Sequence, residues 1–261
     1  MHYRKDCVMS CLSILGLNYD IVWTEKDDNF RIIESLFKDK EADIFLLPEM
    51  FSTGFCMDAQ LIADRHQETL QWMVAYAKKK NVAVAGSVSV SENGQFFNRF
   101  YFVEPSGDYQ FYDKRHLFSY SGEDKIYTPG KKKVIVTYKG FRILLQVCYD
   151  LRFPVFSRND GDYDVALYVA NWPKARVDAW KTLLKARSIE NQSFVFGLNR
   201  IGIDGNNLEY EESSDCYFPD GKIISAKDGN FVKADLNYEE LQSFRNKFQF
   251  LSDADTFHIN Y

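Results

Sequence analysis

Short apolar segments alternate with longer segments of helical periodicity along this chain, and this alternation restricts the folds that it can adopt. Runs rich in strand-forming residues predict strands at 7–17, 42–47, 82–90, 143–147, 164–170 and 193–197. Apolar side chains at helical spacing predict helices at 27–38, 66–80 and 178–191. Two further strands, 96–103 and 109–112, flank a Glu-Pro-Ser-Gly turn and predict a β-hairpin. The pattern favours an α/β fold in which helices cover mixed, rather than purely parallel, sheets.

Length and charge narrow the class of protein further. The chain has 261 residues with no linker, low-complexity tract or internal repeat, so we expect a single domain over residues 1–261. Its formal net charge is −5 with acidic and basic residues mixed, which argues against nucleic-acid binding. No apolar run approaches the roughly 20 residues that span a bilayer, and the charged N-terminus does not resemble a signal peptide. We therefore expect a cytoplasmic protein without membrane contact.

Cysteine usage agrees with a reducing compartment. The five cysteines, at positions 7, 11, 56, 148 and 216, are odd in number and lack the spacing of a disulfide framework. Cys7 and Cys11 lie four residues apart on a predicted strand, about 13 Å along one face, which is too far to share a metal ion. We expect both to be core residues. No other cluster has metal-ligand spacing and no glycine-rich phosphate loop is present, so no metal and no cofactor is predicted.

Cys148 directly follows the apolar run at 143–147 and precedes a polar turn at 149–152. A thiol at the carboxyl end of a buried strand lies where open α/β sheets usually bind ligands and carry out chemistry. An isolated cysteine is more often a small apolar residue that fills the core. This segment alone leaves both interpretations open.

Glu49 and Lys114 occupy comparable positions, one after the strand at 42–47 and the other after the predicted hairpin. Each alone is more simply explained as an exposed surface residue. Together with their flanking sequences, LPEMF, YDKRHLF and CYDLRFP in that order, Glu49, Lys114 and Cys148 closely resemble the Glu-Lys-Cys signature of the nitrilase superfamily of carbon-nitrogen hydrolases. The resemblance covers nearly the whole chain and includes residues 121–123, 171–173, 186–192 and 199–202. It makes a nucleophilic Cys148 the better interpretation.

The resemblance implies a four-layer α-β-β-α sandwich with mixed sheets, which usually pairs with a second copy, so a homodimer or higher homo-oligomer is expected. It implies that Glu49 is the general base for the Cys148 thiol. Lys114 then favours the thiolate and, with the backbone N–H of Tyr149, stabilises the oxyanion formed from an amide carbonyl. Glu123 matches a second glutamate that positions substrate and lysine in many members, although a salt-bridged loop carboxylate is an alternative. The resulting acyl-thioester is hydrolysed without a cofactor.

One branch of the superfamily is favoured by residues 46–55 and 244–255, which are similar to bacterial ω-amidases. Those enzymes hydrolyse the terminal amide of 2-oxoglutaramate, 2-oxosuccinamate and related dicarboxylate monoamides. Such a small-molecule substrate carries a carboxylate at its far end, so its pocket needs a cation or several donors. The cations near the signature in sequence are Arg152, Lys174 and Arg176, and the sequence does not choose among them. Trp172 and Phe118 are expected to wall the pocket, although aromatic residues after strands are more often core.

Three alternatives stay open at this stage. His116, beside Lys114, would suit a Cys-His hydrolase, but no supporting signature accompanies it. An N-carbamoyl amine or another linear amide would fit the same Glu-Lys-Cys centre, particularly if the pocket lacked a cation. A catalytically silent scaffold is disfavoured because all three signature residues are present. Glu212 stands where many relatives have glycine, so the path of that loop is left open.

Overall fold

The computed structural model describes residues 11–259. The position expected for Cys7, in the first predicted strand, lies outside the described residues. The strands are β1 (Cys11–Leu17), β2 (Ile44–Leu46), β3 (Ala83–Glu92), β4 (Gln95–Val103), β5 (Tyr109–Asp113), β6 (Ile135–Tyr138), β7 (Phe141–Val147), β8 (Val165–Ala170), β9 (Phe194–Asn199), β10 (Gly202–Ile203), β11 (Glu209–Tyr210), β12 (Asp215–Tyr217), β13 (Ala226–Asp228) and β14 (Phe231–Asn237). The helices are α1 (Lys26–Leu36), α2 (Ala59–Ile62), α3 (Glu68–Lys80), α4 (Glu123–Ile126), α5 (Val177–Glu190) and α6 (Tyr238–Lys247).

The first sheet has the strand order β13-β14-β1-β2-β3-β4-β5. Its central strands β1, β2 and β3 are parallel, with Ile14 opposite Ile44 and Ile44 opposite Ala83. β14 is antiparallel to β1 on one side, and β4 and β5 continue antiparallel from β3 on the other. The predicted hairpin is therefore present, and the sheet is mixed as the sequence indicated.

The second sheet has the order β12-β9-β8-β7-β6. β7, β8 and β9 are parallel, while the edge strands β6 and β12 are antiparallel to their neighbours. β10 and β11 form a separate two-stranded ribbon around the Asp-Gly-Asn segment at 204–206. The carboxyl ends of three parallel strands thus lie side by side, and Cys148 follows one of them.

Side chains of the central strands alternate between two apolar layers, as the period of a strand requires. Ile14 and Ile44 point into a core that they share with Leu145 of the second sheet. Phe45, next along β2, points the other way and packs in a cluster with Ile33 of α1 and Met73 of α3. The two sheets therefore face each other, and α1 and α3 cover the outer face of the first.

Helix α5 covers the outer face of the second sheet, where Trp180 and Leu184 pack against residues of β8 and β9. Gly197 of β9 permits this close contact, because a Cβ at that position would lie 2.2 Å from Cδ1 of Leu184. The layer order is helix, sheet, sheet, helix, which confirms the four-layer α-β-β-α sandwich.

The structure differs from the sequence predictions at Cys11 and at the elements that were not predicted, α2, α4, α6, β6 and β10–β14. The prediction that Cys11 is a core residue is wrong, because its side chain is exposed. Leu12 and Ile14 point into the core from β1. Cys11 is the first residue of the strand and precedes Leu12, so its side chain points to the opposite face. β14 was not predicted, although Phe231, Val232 and the buried alternate positions that follow carry the period of a half-buried strand. In the described part of the chain, no helix has the length and apolar character needed to cross a membrane.

The core between the sheets predicts the effect of truncating Leu145. Leu145→Ala removes a fully buried side chain from that core, so we expect the free energy of unfolding to fall by about 2–5 kcal/mol. Leu61→Ala is the matched control, because Leu61 is 67% exposed and its truncation should change stability by no more than about 0.5 kcal/mol. Urea unfolding followed by circular dichroism measures both. Equal losses for the two variants would contradict the layer assignment.

Candidate active site

The three signature side chains converge although they come from different strands. Glu49 and Lys114 follow β2 and β5 of the first sheet, and Cys148 follows β7 of the second. The backbone N–H of Lys114 donates to the carbonyl of Asn98 at 2.9 Å, which extends the β4–β5 pairing to the lysine. Glu49 and Lys114 are buried, whereas Cys148 is partly exposed. The site therefore lies where the ends of the two facing sheets meet.

Lys114 lies between two buried carboxylates. Its Nζ is 2.9 Å from Oε1 of Glu49 and 3.0 and 2.9 Å from Oε1 and Oε2 of Glu123. Burial alone lowers the pKa of a lysine, but the charges of Glu123 and Glu49 outweigh it and hold the pKa of Lys114 above its usual value. Lys114 is therefore a fixed cation that serves both glutamates.

Glu123 begins α4, directly after Gly122, whose φ of +79° is readily adopted only by glycine. The carboxylate turns back into the molecule and is fully buried. The backbone N–H of Phe118 donates to its Oε2 at 2.6 Å. Burial raises the pKa of Glu123, the charge of Lys114 opposes this rise, and the charge of Glu49 adds to it. The surface salt-bridge alternative does not describe this environment.

The hydrogen bonds distinguish the two glutamates. A carboxylate offers about four lone-pair sites. Glu123 accepts from Lys114 on both oxygens, from the Asn98 amide on Oε1 and from the Phe118 N–H on Oε2, so its sites are filled. Glu49 accepts from Lys114 and Asn98 on Oε1 but only from the Asn171 N–H, at 2.8 Å, on Oε2. Among the described residues, therefore, Oε2 of Glu49 keeps one position at which it can accept a proton.

Cys148 has a φ of +46°, a left-handed conformation that is rare for a residue other than glycine. It begins a 3-10 turn, Cys148–Arg152, that leaves the end of β7. The Sγ atom lies 4.0 Å from the carbonyl oxygen of Asn171, whose N–H donates to Glu49. One peptide segment after β8 therefore contacts both the thiol and the proposed base.

Asp150 fixes this strained turn. Its Oδ2 accepts from the N–H of Val147 at 2.9 Å and from the Tyr112 hydroxyl at 2.8 Å. Its Oδ1 accepts from the N–H of His116 at 2.9 Å. These bonds join the turn to the segments on both sides of Lys114. The buried Asp150 carboxylate therefore fixes the position of Cys148 relative to Lys114.

The electrostatic environment keeps Cys148 protonated before substrate binds. Burial, and then the charge of Glu49, raise the pKa of the thiol well above its usual value, and Lys114 only partly opposes them. A thiol in this state needs a base at the moment of attack. Glu49 can act as that base, because its Oε2 has a position that is free to accept a proton.

A cavity of about 300 Å³ opens onto Cys148. Phe118, Tyr149 and Trp172 all line it. The Phe118 and Tyr149 rings contact edge to face with centroids 5.0 Å apart. Asp204 and Tyr210 also line it, and neither was predicted from the sequence.

Two of the three candidate cations line the cavity. Arg152 and Arg176 line the cavity, whereas Lys174 does not and pairs with Glu209 at 2.7 Å. The guanidinium of Arg152 lies 5.0 Å from the centre of the Trp172 ring, and that of Arg176 lies 5.4 Å from the centre of the Phe118 ring. Neither forms an ion pair with a carboxylate of residues 11–259. Two cations without a carboxylate partner in the described part of the chain thus line the same cavity as the thiol.

Within residues 11–259, His116 forms no hydrogen bond to Cys148, the contact that a Cys-His hydrolase would need. Its Nδ1 lies 2.8 Å from Oδ1 of Asp150, and its ring stacks on Phe153 with centroids 4.0 Å apart. It is not among the residues that line the cavity. Within residues 11–259, no group of three or more His, Cys, Asp or Glu side chains could hold a metal ion.

Sequence reasoning missed Asn98, the side chain that contacts both glutamates. It is fully buried on β4, and its Nδ2 donates to Oε1 of Glu49 at 2.9 Å and to Oε1 of Glu123 at 3.1 Å. The signal was an amide side chain, followed by Arg99, within the mostly aromatic segment at 96–103. A polar residue that interrupts such a strand needs a buried hydrogen-bond partner, which the sequence does not identify.

Comparisons with known proteins agree with this geometry. The carbon-nitrogen hydrolase family profile matches residues 11–246. The chain is 43% identical over 255 residues to the omega-amidase YafV of Escherichia coli strain K12, which covers 96% of this chain and 100% of that protein. It is 31% identical over 251 residues to the 2-oxoglutaramate amidase of Bacillus subtilis strain 168, with 92% and 96% of the two chains covered.

Solved structures give the same result. XC1258 from Xanthomonas campestris, a CN-hydrolase superfamily protein with an arsenic adduct in its active site, has a TM-score of 0.92 and 36% identity over 97% of this chain and 100% of that chain. Nit3 of Saccharomyces cerevisiae, a nitrilase superfamily member, has a TM-score of 0.81 at 20% identity over 92% of this chain and 94% of that chain, a likeness of fold alone. The chain belongs to the carbon-nitrogen hydrolase family of the nitrilase superfamily.

Proposed function

We propose that this protein is an ω-amidase, which hydrolyses the terminal amide of a small dicarboxylate monoamide such as 2-oxoglutaramate, 2-oxosuccinamate or succinamate to the acid and ammonia. One observation carries the proposal: the cavity above Cys148 holds two guanidinium groups, Arg152 and Arg176, that no carboxylate of the described residues neutralises. The names of the relatives from Escherichia coli and Bacillus subtilis support the same substrate class.

Acylation begins with transfer of the Cys148 proton to Oε2 of Glu49, the oxygen with an open position. The sulfur then attacks the amide carbon, and the carbonyl electrons move to oxygen. Lys114 and the backbone N–H of Tyr149 donate hydrogen bonds to this oxyanion. Lys114 contacts both oxygens of the Glu123 carboxylate, and a single N–H directed between these oxygens can make both contacts. A further N–H of Lys114 is then left to donate to the substrate oxygen.

Collapse of the tetrahedral intermediate breaks the carbon-nitrogen bond, and protonated Glu49 returns its proton to the departing nitrogen. Ammonia leaves and a thioester remains on Cys148. Glu49 then takes a proton from water, whose oxygen attacks the thioester carbon. The second collapse expels the Cys148 sulfur, which regains the proton from Glu49, and the carboxylic acid is released. Each step uses the same base, so the chemistry requires no cofactor.

The charges in the cavity favour an anionic substrate over a neutral or cationic one. The acidic residue of the lining, Asp204, already accepts from the N–H groups of Asn206 and Leu208 and from the Tyr210 hydroxyl. Its oxygens are therefore engaged, whereas Arg152 and Arg176 keep donors for a carboxylate. An N-carbamoyl amine or a simple linear amide would use the same Glu-Lys-Cys centre but would leave these guanidinium groups unused.

A homodimer, or a higher homo-oligomer, and a cytoplasmic location are part of the proposal. The first is supported by the family resemblance. The second is supported by the free state of Cys11, Cys56, Cys148 and Cys216, which suits a reducing compartment. The partner that the site itself requires is the small-molecule amide.

Loss of the nucleophile tests the reaction class. Cys148→Ala should lower ammonia release from succinamate by at least about a thousandfold, because the acyl-thioester cannot form. Cys11→Ala, at an exposed thiol, is the control and should keep wild-type activity. An N-carbamoyl amine and propionamide serve as comparison substrates. Preference of the wild type for either comparison substrate would contradict the ω-amidase proposal while leaving the cysteine mechanism in place.

Loss of the cations tests the substrate class. Arg152→Met and Arg176→Met keep most of the side-chain volume but remove the charge, and each should raise the KM for succinamate by roughly tenfold or more. The KM for neutral propionamide should change little. Lys174→Met is the matched control, since Lys174 lies outside the cavity lining. Equal effects on succinamate and propionamide would show that the arginines shape the pocket without binding a carboxylate.

A further inference from the structure

Asn98 contacts three members of the catalytic cluster. Its Nδ2 donates to Oε1 of Glu49 at 2.9 Å and to Oε1 of Glu123 at 3.1 Å. Its backbone carbonyl accepts from the N–H of Lys114 at 2.9 Å. The side chain is fully buried, and its Oδ1 has no hydrogen-bond partner among residues 11–259. Among these residues, the two carboxylates are therefore the partners that can account for a buried amide at this position.

The orientation of the amide follows from its neighbours. An amide oxygen directed at two carboxylates would be repelled by both, so the nitrogen must face them. Leaving Oδ1 unpaired in the interior costs free energy that an apolar side chain would avoid. The hydrogen bonds donated by the Asn98 nitrogen must therefore have a function that offsets this free-energy cost.

We propose that Asn98 is a positioning residue, whose single amide group holds the carboxylates of Glu49 and Glu123 together around Lys114 and thereby directs the Cys148 proton to Oε2 of Glu49. The proposal deepens the amidase function, since it concerns the base that this function requires. It assigns to Asn98 no contact with substrate or with the reacting atoms.

The charge balance explains why the cluster needs this amide. Two buried carboxylates repel each other, and Lys114 supplies one positive charge for the pair. The other titratable groups near the pair, the Cys148 thiol and the Tyr127 hydroxyl, add no positive charge. Asn98 donates one N–H to each carboxylate, which stabilises the ionised form of both without adding charge.

The lone-pair count explains how Asn98 selects the base. With Asn98 in place, Oε1 of Glu49 accepts two hydrogen bonds and is filled, and Glu123 has no open position. Oε2 of Glu49 is then the oxygen that can take the thiol proton. Without Asn98, both Oε1 atoms regain an open position, and a proton bound at Oε1 of Glu49 removes the charge that makes this carboxylate a base.

Two substitutions of similar volume test this proposal. Asn98→Leu removes both donors, and Asn98→Asp replaces the donor nitrogen by oxygen. We expect kcat for succinamate to fall on the order of tenfold to a hundredfold, with KM changed less than about threefold, because substrate contacts stay intact. The acidic limb of the kcat/KM profile should move to higher pH. Its direction follows because lost donors make the carboxylates easier to protonate.

A second readout separates this proposal from the proposed function. Alkylation of Cys148 by iodoacetamide also needs Glu49 as base, so its acidic limb should shift upward in both variants. If the wild type releases no ammonia from any amide but the alkylation profile shifts, the ω-amidase function fails and the role of Asn98 stands. If the wild type hydrolyses succinamate and the variants match it in kcat and in both pH profiles, the role of Asn98 is refuted.

Controls exclude a purely structural effect. Ser89 lies opposite Asn98 on β3, is buried, and bonds to the Tyr127 hydroxyl at 2.9 Å without contacting Glu49 or Glu123. Ser89→Ala should leave both acidic limbs in place, even though it removes a buried hydrogen bond from the same strand pair. Thermal unfolding of each variant checks that it is folded. Should Asn98→Leu not fold, Asn98→Asp, which retains the shape of the side chain, decides the outcome.

Discussion

The buried ion pairs of Lys114 with Glu49 and Glu123 are the interaction on which the rest of the site depends. Removing three charges from water is expensive, and the cost is offset only where every lone pair and proton finds a partner. Here the missing donors come from the Asn98 amide and from the N–H groups of Phe118 and Asn171. The cluster therefore has one arrangement of low energy, and that arrangement leaves a single oxygen ready to accept a proton.

The four-layer fold supplies this arrangement from distant parts of the chain. Glu49 and Lys114 follow strands of one sheet and Cys148 follows a strand of the other, so the apolar core between the sheets sets the distance between them. Asp150 then fixes the left-handed conformation of Cys148 against the segment that carries Lys114. Strain at the nucleophile is maintained by surrounding hydrogen bonds, as is common where a reactive group must be held away from its relaxed position.

The sequence was most informative where chemistry is local. Apolar segments and their periodicity located β1–β5, β7–β9, α1, α3 and α5. The short sequences around Glu49, Lys114 and Cys148 identified the family before any contact was known. It failed where a role depends on a distant partner: Asn98 is 49 residues from Glu49, and Asn171 is 122 residues from it. Arg152, Arg176 and Lys174 were equivalent in the sequence, and only the packing of the cavity separated them. Cys11 was misplaced because a one-residue change of phase on a strand reverses the direction of a side chain.

In the proposed mechanism, Cys148 carries the acyl group of the substrate, and Glu49 accepts and returns the protons. Peptide mapping by mass spectrometry, after acid quenching during turnover of succinamate, tests it directly. We expect one succinyl group on the peptide that contains Cys148 and none when Glu49→Gln is treated in the same way. Turnover that leaves Cys148 unmodified while another residue carries the acyl group would contradict it.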